Sequence, residues 1–368
     1  MKHAFRIGIP ALLIAAGVAA FVLAQPDVDG LNKPYEFKLG SEITAQAAEV
    51  VIEPRFRAIA DDRFAYECYS NAVRSGTVSD AGKPVESFRI SENWINHFTL
   101  IAGEDPLEGR KDLRLSFQFD VMQFMIDNGE ARYTGFIGPQ SDLHKTGFQE
   151  VLPGGERSEV TNIPGWVGVN ASSLEQNRGT QARDFSASAW FSASETGRLN
   201  HETYYADYGF ADQANYPGRL QDPLHIALSV QPEFSADAKL KIGETLSVRR
   251  RFPVGASFGG AIEYDFTYKL EKLYGTVAEP TAARLSFDAV PVKREHEVTV
   301  NGLKTRFSAP DIKGGQLLLD LVKGVAAHVQ WEYRLGGTVS QPGTELATVF
   351  DVKFDFSASL RASAPKQE

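Results

Sequence analysis

Strict alternation of apolar and polar residues limits what this chain can fold into more than any other feature does. It is clearest in three stretches of the C-terminal half, residues 262–271, 325–335 and 346–357. Because every second side chain of a β-strand points to the same face, each stretch predicts a strand with one buried and one solvated face. Strands of this kind are typical of antiparallel sheets. The sequence therefore predicts a mainly β fold.

Short turn sequences separate the predicted strands and agree with an antiparallel arrangement. Asn301-Gly302 lies between two short β-prone segments and predicts a tight hairpin, since both central positions of such a turn favour positive φ. Lys323-Gly324 and Asp127-Asn128-Gly129 separate two further pairs of predicted strands. The strand over residues 113–126 changes its apolar face at Val121-Met122, which predicts a β-bulge.

The number of strands sets the expected architecture. A sheet this large must close, stack on another layer or be covered at its edges. We therefore expect an antiparallel β-sandwich or a strongly curved, open barrel-like sheet, with one or two short helices. Ser41–Ala48 has a candidate N-cap serine and three alanines and predicts one helix, and Ser173–Arg178 predicts another.

The first 24 residues predict where the protein goes. Lys2, His3 and Arg6 precede the uncharged apolar segment 7–24, which ends in small residues before Gln25. This is the layout of a bacterial secretory signal peptide and predicts a periplasmic or extracellular location. The alternative is an uncleaved inner-membrane anchor, because this segment would span roughly 27 Å at about 1.5 Å per residue. Only the uncleaved segment would bring the protein into contact with the membrane.

Composition divides the rest of the chain into four regions. The long connection is rich in Gly, Pro, Asn, Tyr and Asp, and a soft domain boundary is expected at its start. The regions are an N-terminal β-rich region (25–155), an irregular loop-rich connection (156–223), a C-terminal antiparallel sheet region (224–362) and a polar tail (363–368).

Net charge excludes one class of partner. The 368-residue chain has a net charge of −9, or −11 once Lys2 and Arg6 are removed with the signal segment. Such a surface repels the phosphates of nucleic acids, so no nucleic-acid partner is expected. Arg249-Arg250-Arg251 is the only dense basic run, and its strand-like context predicts a solvated strand end.

Metal and cofactor chemistry is not predicted. Cys68 is the only cysteine, so the chain has neither an intramolecular disulfide nor a site of several thiolates. It alternates with Phe64 and Tyr66, which predicts a small buried hydrophobic residue. The seven histidines lack ligand-like spacing, and His296-Glu297 lacks a second histidine four positions on.

Motifs for nucleophilic catalysis are also weak. Ser257 has the spacing of a nucleophile elbow between Gly255 and Gly259, but a predicted strand follows where that motif needs a helix. We therefore expect a protein that is not an enzyme.

One segment combines aromatic rings with carboxylates between His201 and His225. Such groups can stack on and hydrogen-bond a sugar, or contact a protein. The alternative is a long loop whose aromatic residues are tucked into the core. The candidate binding residues are Tyr204, Tyr205, Asp207, Tyr208, Asp212 and Tyr216.

These observations predict an exported bacterial cell-envelope β protein that binds an envelope protein or a small apolar or glycan ligand without catalysis. One alternative is an outer-membrane β-barrel, which long alternating strands favour and the polar tail disfavours. The other is an extracytoplasmic hydrolase that uses paired carboxylates.

Overall fold

The computed structural model describes residues 34–361 except 45, 105–112, 130–131, 138–148, 152–156, 160–187, 195–197, 208–222, 255–261 and 301. Strands dominate the described residues, and the α-helix among them is a single short one. The elements are β1 (Arg63–Asp80), β2 (Lys83–Glu104), β3 (Leu113–Asp127), β4 (Arg132–Ile137), β5 (Gln149–Val151), β6 (Arg157–Glu159), β7 (Ser188–Ala193), β8 (Leu199–Asp207), α1 (Pro223–Val230), β9 (Thr245–Phe252), β10 (Ile262–Gly275), β11 (Pro280–Pro291), β12 (Glu295–Val300), β13 (Leu303–Ser308), β14 (Ile312–Asp320), β15 (Val325–Ser340) and β16 (Leu346–Leu360).

All sixteen of these strands belong to one sheet, and every pairing between them is antiparallel. The main order is β6-β5-β4-β3-β2-β1-β16-β15-β14-β11-β10-β9. The β7–β8 hairpin pairs with the first half of β3, and the β12–β13 hairpin pairs with the end of β15. The predicted antiparallel β fold is confirmed. Because β1 pairs with β16, strands from the predicted regions 25–155 and 224–362 share one sheet.

The sheet curls so strongly that strands far apart in its order pack against each other. Three strands separate β9 from β15, which in a flat sheet would place them roughly 19 Å apart. Yet the rings of Phe252 on β9 and Trp331 on β15 lie 4.6 Å apart between centroids. The sheet nevertheless remains open, so the predicted curved, open form describes it. We call its concave side the inner face.

Helix α1 lies at the opening of the curled sheet. It contacts β7 and β8, which branch from β3, and also β9 and β15. Residues 226–230 are all buried, and all of them except Ser229 are apolar, as expected of a helix that is enclosed on most sides. The helix therefore connects the β7–β8 hairpin with β9 and β15, strands that do not pair with that hairpin.

The segment before β1 runs across one end of the curl. Ile43 N–H donates to Leu273 O, Ile52 pairs with Leu240, and Arg57 N–H donates to Lys323 O. The helix predicted over Ser41–Ala48 is wrong, since only a 3₁₀ turn at Ala47–Glu49 forms there. The segment's backbone groups pair with distant strands instead of with each other.

The predicted turns and bulge are confirmed. The hairpin between β12 and β13 contains Gly302 with a φ of 77°. Gly324, in the turn between β14 and β15, has a φ of 69°, and a Cβ there would lie 1.7 Å from Arg55 O. The pairing of β2 with β3 shifts at Asp120, next to the predicted bulge position.

Ion pairs join neighbouring strands on the outer face of the described part of the sheet. Arg249 on β9 pairs with Asp265 on β10 at 2.8 Å, and Arg334 on β15 pairs with Asp351 on β16 at 2.8 Å. Within the described residues, no helix has both the length and the apolar character needed to cross a bilayer.

Candidate ligand-binding site

Large rings dominate the inner face of β15 and β16. Trp331 stacks on Phe356 with centroids 5.2 Å apart and on Tyr333 at 5.8 Å. All members of this surface are buried. We call it the aromatic wall, and it consists of Val329, Trp331, Tyr333, Leu335, Val352, Phe354, Phe356 and Ala358.

Small side chains occupy the middle part of the inner face of β1, next to the aromatic wall. Cys68, Ser70 and Ala72 are almost completely buried, and we call them the β1 stripe. Ser70 lies opposite Phe356 in the pairing of β1 with β16, so the stripe and the aromatic wall share one face. On its other side, Ser70 lies opposite Trp94 of β2. A row of small side chains is thus flanked by bulky aromatic ones.

Several buried polar atoms on this face have no hydrogen-bond partner among the described residues. They are Nδ2 and Oδ1 of Asn96, Oγ of Ser70 and Nε1 of Trp331. Asn96 and Ser70 are completely buried, and Trp331 is 3% exposed. Asn96 lies opposite Cys68, whose next neighbour on the same face of β1 is Ser70. The inner face around the β1 stripe therefore offers three donor groups and two acceptors that nothing in the described structure uses, since the hydroxyl of Ser70 can serve as both.

An ion pair lies further along the same face. Arg74 Nε is 3.3 Å from Glu92 Oε1, and their side chains are 30% and 12% exposed. Trp94 Nε1 donates to the other oxygen of Glu92 at 3.5 Å. Glu92 lies opposite Ala72, so this partly exposed pair borders the β1 stripe where the face approaches solvent.

Arg250 on β9 also points to the inner face. It is 6% exposed, so the prediction that all three residues of Arg249-Arg250-Arg251 are solvated is wrong for the middle one. Its guanidinium lies 5.0 Å from the ring centroid of Phe266, donates to Tyr268 Oη at 3.3 Å and donates to Leu228 O in α1. Its Nε has no partner in the described structure.

The titratable groups nearest the β1 stripe do not form a nucleophilic centre. Burial raises the pKa of the Cys68 thiol far above its usual value, which keeps it protonated and unreactive. The neighbouring Glu67 points to the outer face, where His97 lies 3.2 Å away and lowers the pKa of the carboxyl through a hydrogen bond. The predicted burial of Cys68 as a small hydrophobic residue is confirmed.

The residues predicted to bind from sequence fall partly within a strand. Tyr204, Tyr205 and Asp207 belong to β8, where Tyr205 lies opposite Trp190 and Asp207 opposite Ser188, so their assignment to an irregular loop is wrong. Their role in binding stays a prediction. The other predicted positions lie outside the described residues: Tyr208, Asp212, Tyr216, Ser257, the segment Ser173–Arg178 and residues 1–24.

Alternation in the sequence contained a signal for two of the residues that were missed. Asn96 shares its strand face with Trp94 and Phe98, and Arg250 shares its face with Phe252. Their places in the alternation of the strand alone thus indicate that both side chains point inward. A polar residue at a position where the alternation calls for an apolar one is the signal that could have identified them.

Comparison with known proteins gives no family. No protein-family model and no curated sequence matches this chain. Among solved structures, lipovitellin is similar at 9% identity and a TM-score of 0.41, covering 84% of this chain and 26% of lipovitellin. The chain thus spans about a quarter of that protein's length.

Two further structures cover most of both chains. DynF from the dynemicin biosynthesis pathway of Micromonospora chersina has 9% identity and a TM-score of 0.21, with 91% of this chain and 95% of DynF covered. The translocator domain of the autotransporter NalP from Neisseria meningitidis has 10% identity and a TM-score of 0.15, with 81% and 88% covered. These similarities are too low to carry an argument about function.

Proposed function

We propose that this protein is an exported, non-catalytic binding protein that holds an apolar ligand against the inner face of its curled sheet. The unpartnered polar atoms of Asn96, Ser70 and Trp331 carry the proposal. Sites for small molecules are mostly apolar, with a few polar groups that orient the ligand. The β1 stripe and the aromatic wall have this composition.

The free-energy cost of burying polar groups without hydrogen-bond partners supports the proposed ligand site. Leaving a buried donor or acceptor without a partner costs about 1–3 kcal/mol, so such groups are rare in native proteins. Here four of the ten such atoms in the described structure belong to Asn96, Ser70 and Trp331 on one face, at or beside the small side chains of the β1 stripe. A ligand that hydrogen-bonds to Asn96 would remove part of this cost. The atoms are shielded from solvent, so the surrounding side chains must move apart when a ligand enters.

Other observations favour binding over the alternatives. The inner face presents no reactive thiol, since burial keeps Cys68 protonated. The outer face carries ion pairs such as Arg334–Asp351, whereas the wall of an outer-membrane barrel is apolar where it meets lipid. Export rests on the signal-like segment 1–24.

An uncharged fluorescent probe tests the proposal directly. N-phenyl-1-naphthylamine has an apolar body and one N–H donor, so it should bind the folded protein and quench tryptophan emission. Asn96→Leu should weaken this binding about 2- to 10-fold, the effect of one neutral hydrogen bond. Mass spectrometry of solvent extracts from the native protein should in addition detect a bound apolar molecule.

The matched control is Asn93→Leu. Asn93 lies on the same strand but on the outer face, where its Oδ1 accepts from Tyr69 Oη. This variant should bind the probe as the wild type does. Equal weakening in both variants would place the site elsewhere, and a wild-type protein that neither binds the probe nor carries an apolar molecule would contradict the proposal.

A further inference from the structure

The charge of Arg250 has no contacting carboxylate in the described part of the chain. No acidic side chain there lies within 4 Å of its guanidinium as an ion pair, and its donors meet only a neutral phenol and a backbone carbonyl. Burying an ionised group without a counter-charge is strongly unfavourable. The rings of Phe266 and Phe252, with centroids 5.0 and 5.7 Å from the guanidinium carbon, offset this cost only in part.

Glu233 is the acidic residue whose charge acts most directly on this region. Its carboxyl is 4.0 Å from Arg198 and forms no ion pair with Arg250. Burial raises the pKa of Glu233, while the positive charges of Arg250 and Arg198 act in the opposite direction without a direct contact between Glu233 and Arg250. The counter-charge that Arg250 needs is therefore supplied only at a distance.

Arg250 is connected to the proposed ligand site through aromatic contacts. The guanidinium lies beside the Phe252 ring, and Phe252 packs on Trp331 of the aromatic wall. The existing hydrogen bonds to Tyr268 Oη and Leu228 O hold the guanidinium between β9, β10 and α1. Its Nε is left as the donor without a partner.

We propose that the ligand is a carboxylate with a long apolar body, and that Arg250 binds the carboxylate while the apolar body lies along the aromatic wall. The assignment rests on the proposed function, because it names the chemical class that the same inner face takes. A guanidinium is suited to this role, since its N–H groups match the geometry of a carboxylate and its charge persists when it is buried.

The experiment compares cis-parinaric acid with its methyl ester at a pH where the acid is ionised. The two fluorescent probes share one apolar chain and differ only in the charge of the head group. Wild-type protein should bind the acid about tenfold or more tightly than the ester, as expected for hydrogen bonds to a charged group. Arg250→Met should remove this preference by weakening the binding of the acid alone.

Arg249→Met is the matched control. Arg249 is the adjacent residue but points to the outer face and pairs with Asp265, so its loss should leave the preference for the acid unchanged. Circular dichroism checks that each variant is folded. If Arg250→Met does not fold, Arg250→Lys keeps the charge without Nε and should retain only part of the preference.

The outcomes separate this inference from the proposed function. If the wild type binds acid and ester equally well, the role of Arg250 is overturned while the binding of apolar ligands stands. If Arg249→Met reduces the preference as much as Arg250→Met does, a general effect of surface charge replaces the assignment. If neither probe binds, both proposals fail.

Discussion

The aromatic wall and the β1 stripe are neighbours on one sheet face, yet they are built on different principles. The wall packs large rings against one another and across the curl, as Trp331 does with Phe252 and Phe356. The stripe presents small side chains and lies beside the unpartnered amide of Asn96. The comparison teaches that burial alone does not define a core, because both surfaces are equally buried.

The two surfaces differ in whether their side chains find interaction partners within the protein. In the wall, dispersion and the removal of apolar area from water stabilise the curled sheet. Beside the stripe, polar groups lack the partners that would make their burial favourable. Substitutions in the wall should therefore weaken folding in addition to any effect on binding, whereas substitutions beside the stripe should change binding with little effect on folding.

Removal of a ring from the aromatic wall should have the largest effect. Trp331→Ala is expected to lower the free energy of unfolding by about 3–5 kcal/mol, because it deletes a buried ring that the surrounding strands cannot replace. Denaturant unfolding followed by circular dichroism measures this. A loss below about 1 kcal/mol would show that the wall does not hold the curl together.

A second test concerns the packing next to the aromatic wall, where Gly337 of β15 lies opposite Phe350 of β16. Gly337 lies where a Cβ would be 2.4 Å from Arg306 O and 2.6 Å from Phe350 Cζ, so Gly337→Ala should cost about 1–3 kcal/mol. A Cβ added at Gly336 would have Phe350 O as its nearest neighbour, at 3.7 Å, so Gly336→Ala should stay within about 0.5 kcal/mol of the wild type. Equal melting temperatures of the two variants would argue against this packing.

Beside the β1 stripe the expected sign is reversed. Asn96→Leu replaces an unpartnered amide by an apolar group of similar size, so the free energy of unfolding should stay the same or rise by about 1 kcal/mol. Thermal unfolding monitors the change, with Asn93→Leu on the outer face as control. A clear loss of stability in Asn96→Leu would show that the amide has a partner and that the two surfaces do not differ as described.

The smallest effect should come from the opposite face of β15. Burial lowers the pKa of His328, whose Nδ1 is 2.8 Å from Ser359 Oγ. The unfolded chain therefore takes up this proton first, and stability should decrease as the pH falls from about 6.5 through the lowered pKa. The slope from one proton is at most about 1.4 kcal/mol per pH unit. His328→Gln should flatten this dependence, and an unchanged profile would assign it to other groups.

The sheet could be predicted from the sequence because alternation and turns are local signals. The curl could not, because it depends on the contact of Phe252 with Trp331 across three intervening strands. The helix predicted over Ser41–Ala48 failed for the same reason. There, Glu42 pairs with Tyr274 and Ile43 N–H donates to Leu273 O, so distant strands overrode the local preference.

The candidate site was less accessible to sequence reasoning than the fold. Parity indicates that Asn96 and Arg250 point inward, but whether a buried polar group has a partner depends on strands far away in the sequence. Three consecutive arginines also suggest a solvated run, although alternation places the middle one on the face opposite to its neighbours. Polar residues at positions where the alternation calls for apolar ones are thus candidate binding residues, and only the structure shows which of them lack hydrogen-bond partners.

The pairing of the first long strand with the last one has a consequence for how the protein folds. Asn71 on β1 and Asp355 on β16 are 284 positions apart and join at 3.4 Å through their side chains. Pairings of this kind carry a large loop-closure entropy and slow folding. A chain that emerges N-terminus first presents β1 with an unsatisfied edge until β16 has followed, which exposes it to aggregation. The arrival of the C-terminal strand should therefore set the time at which the sheet becomes complete.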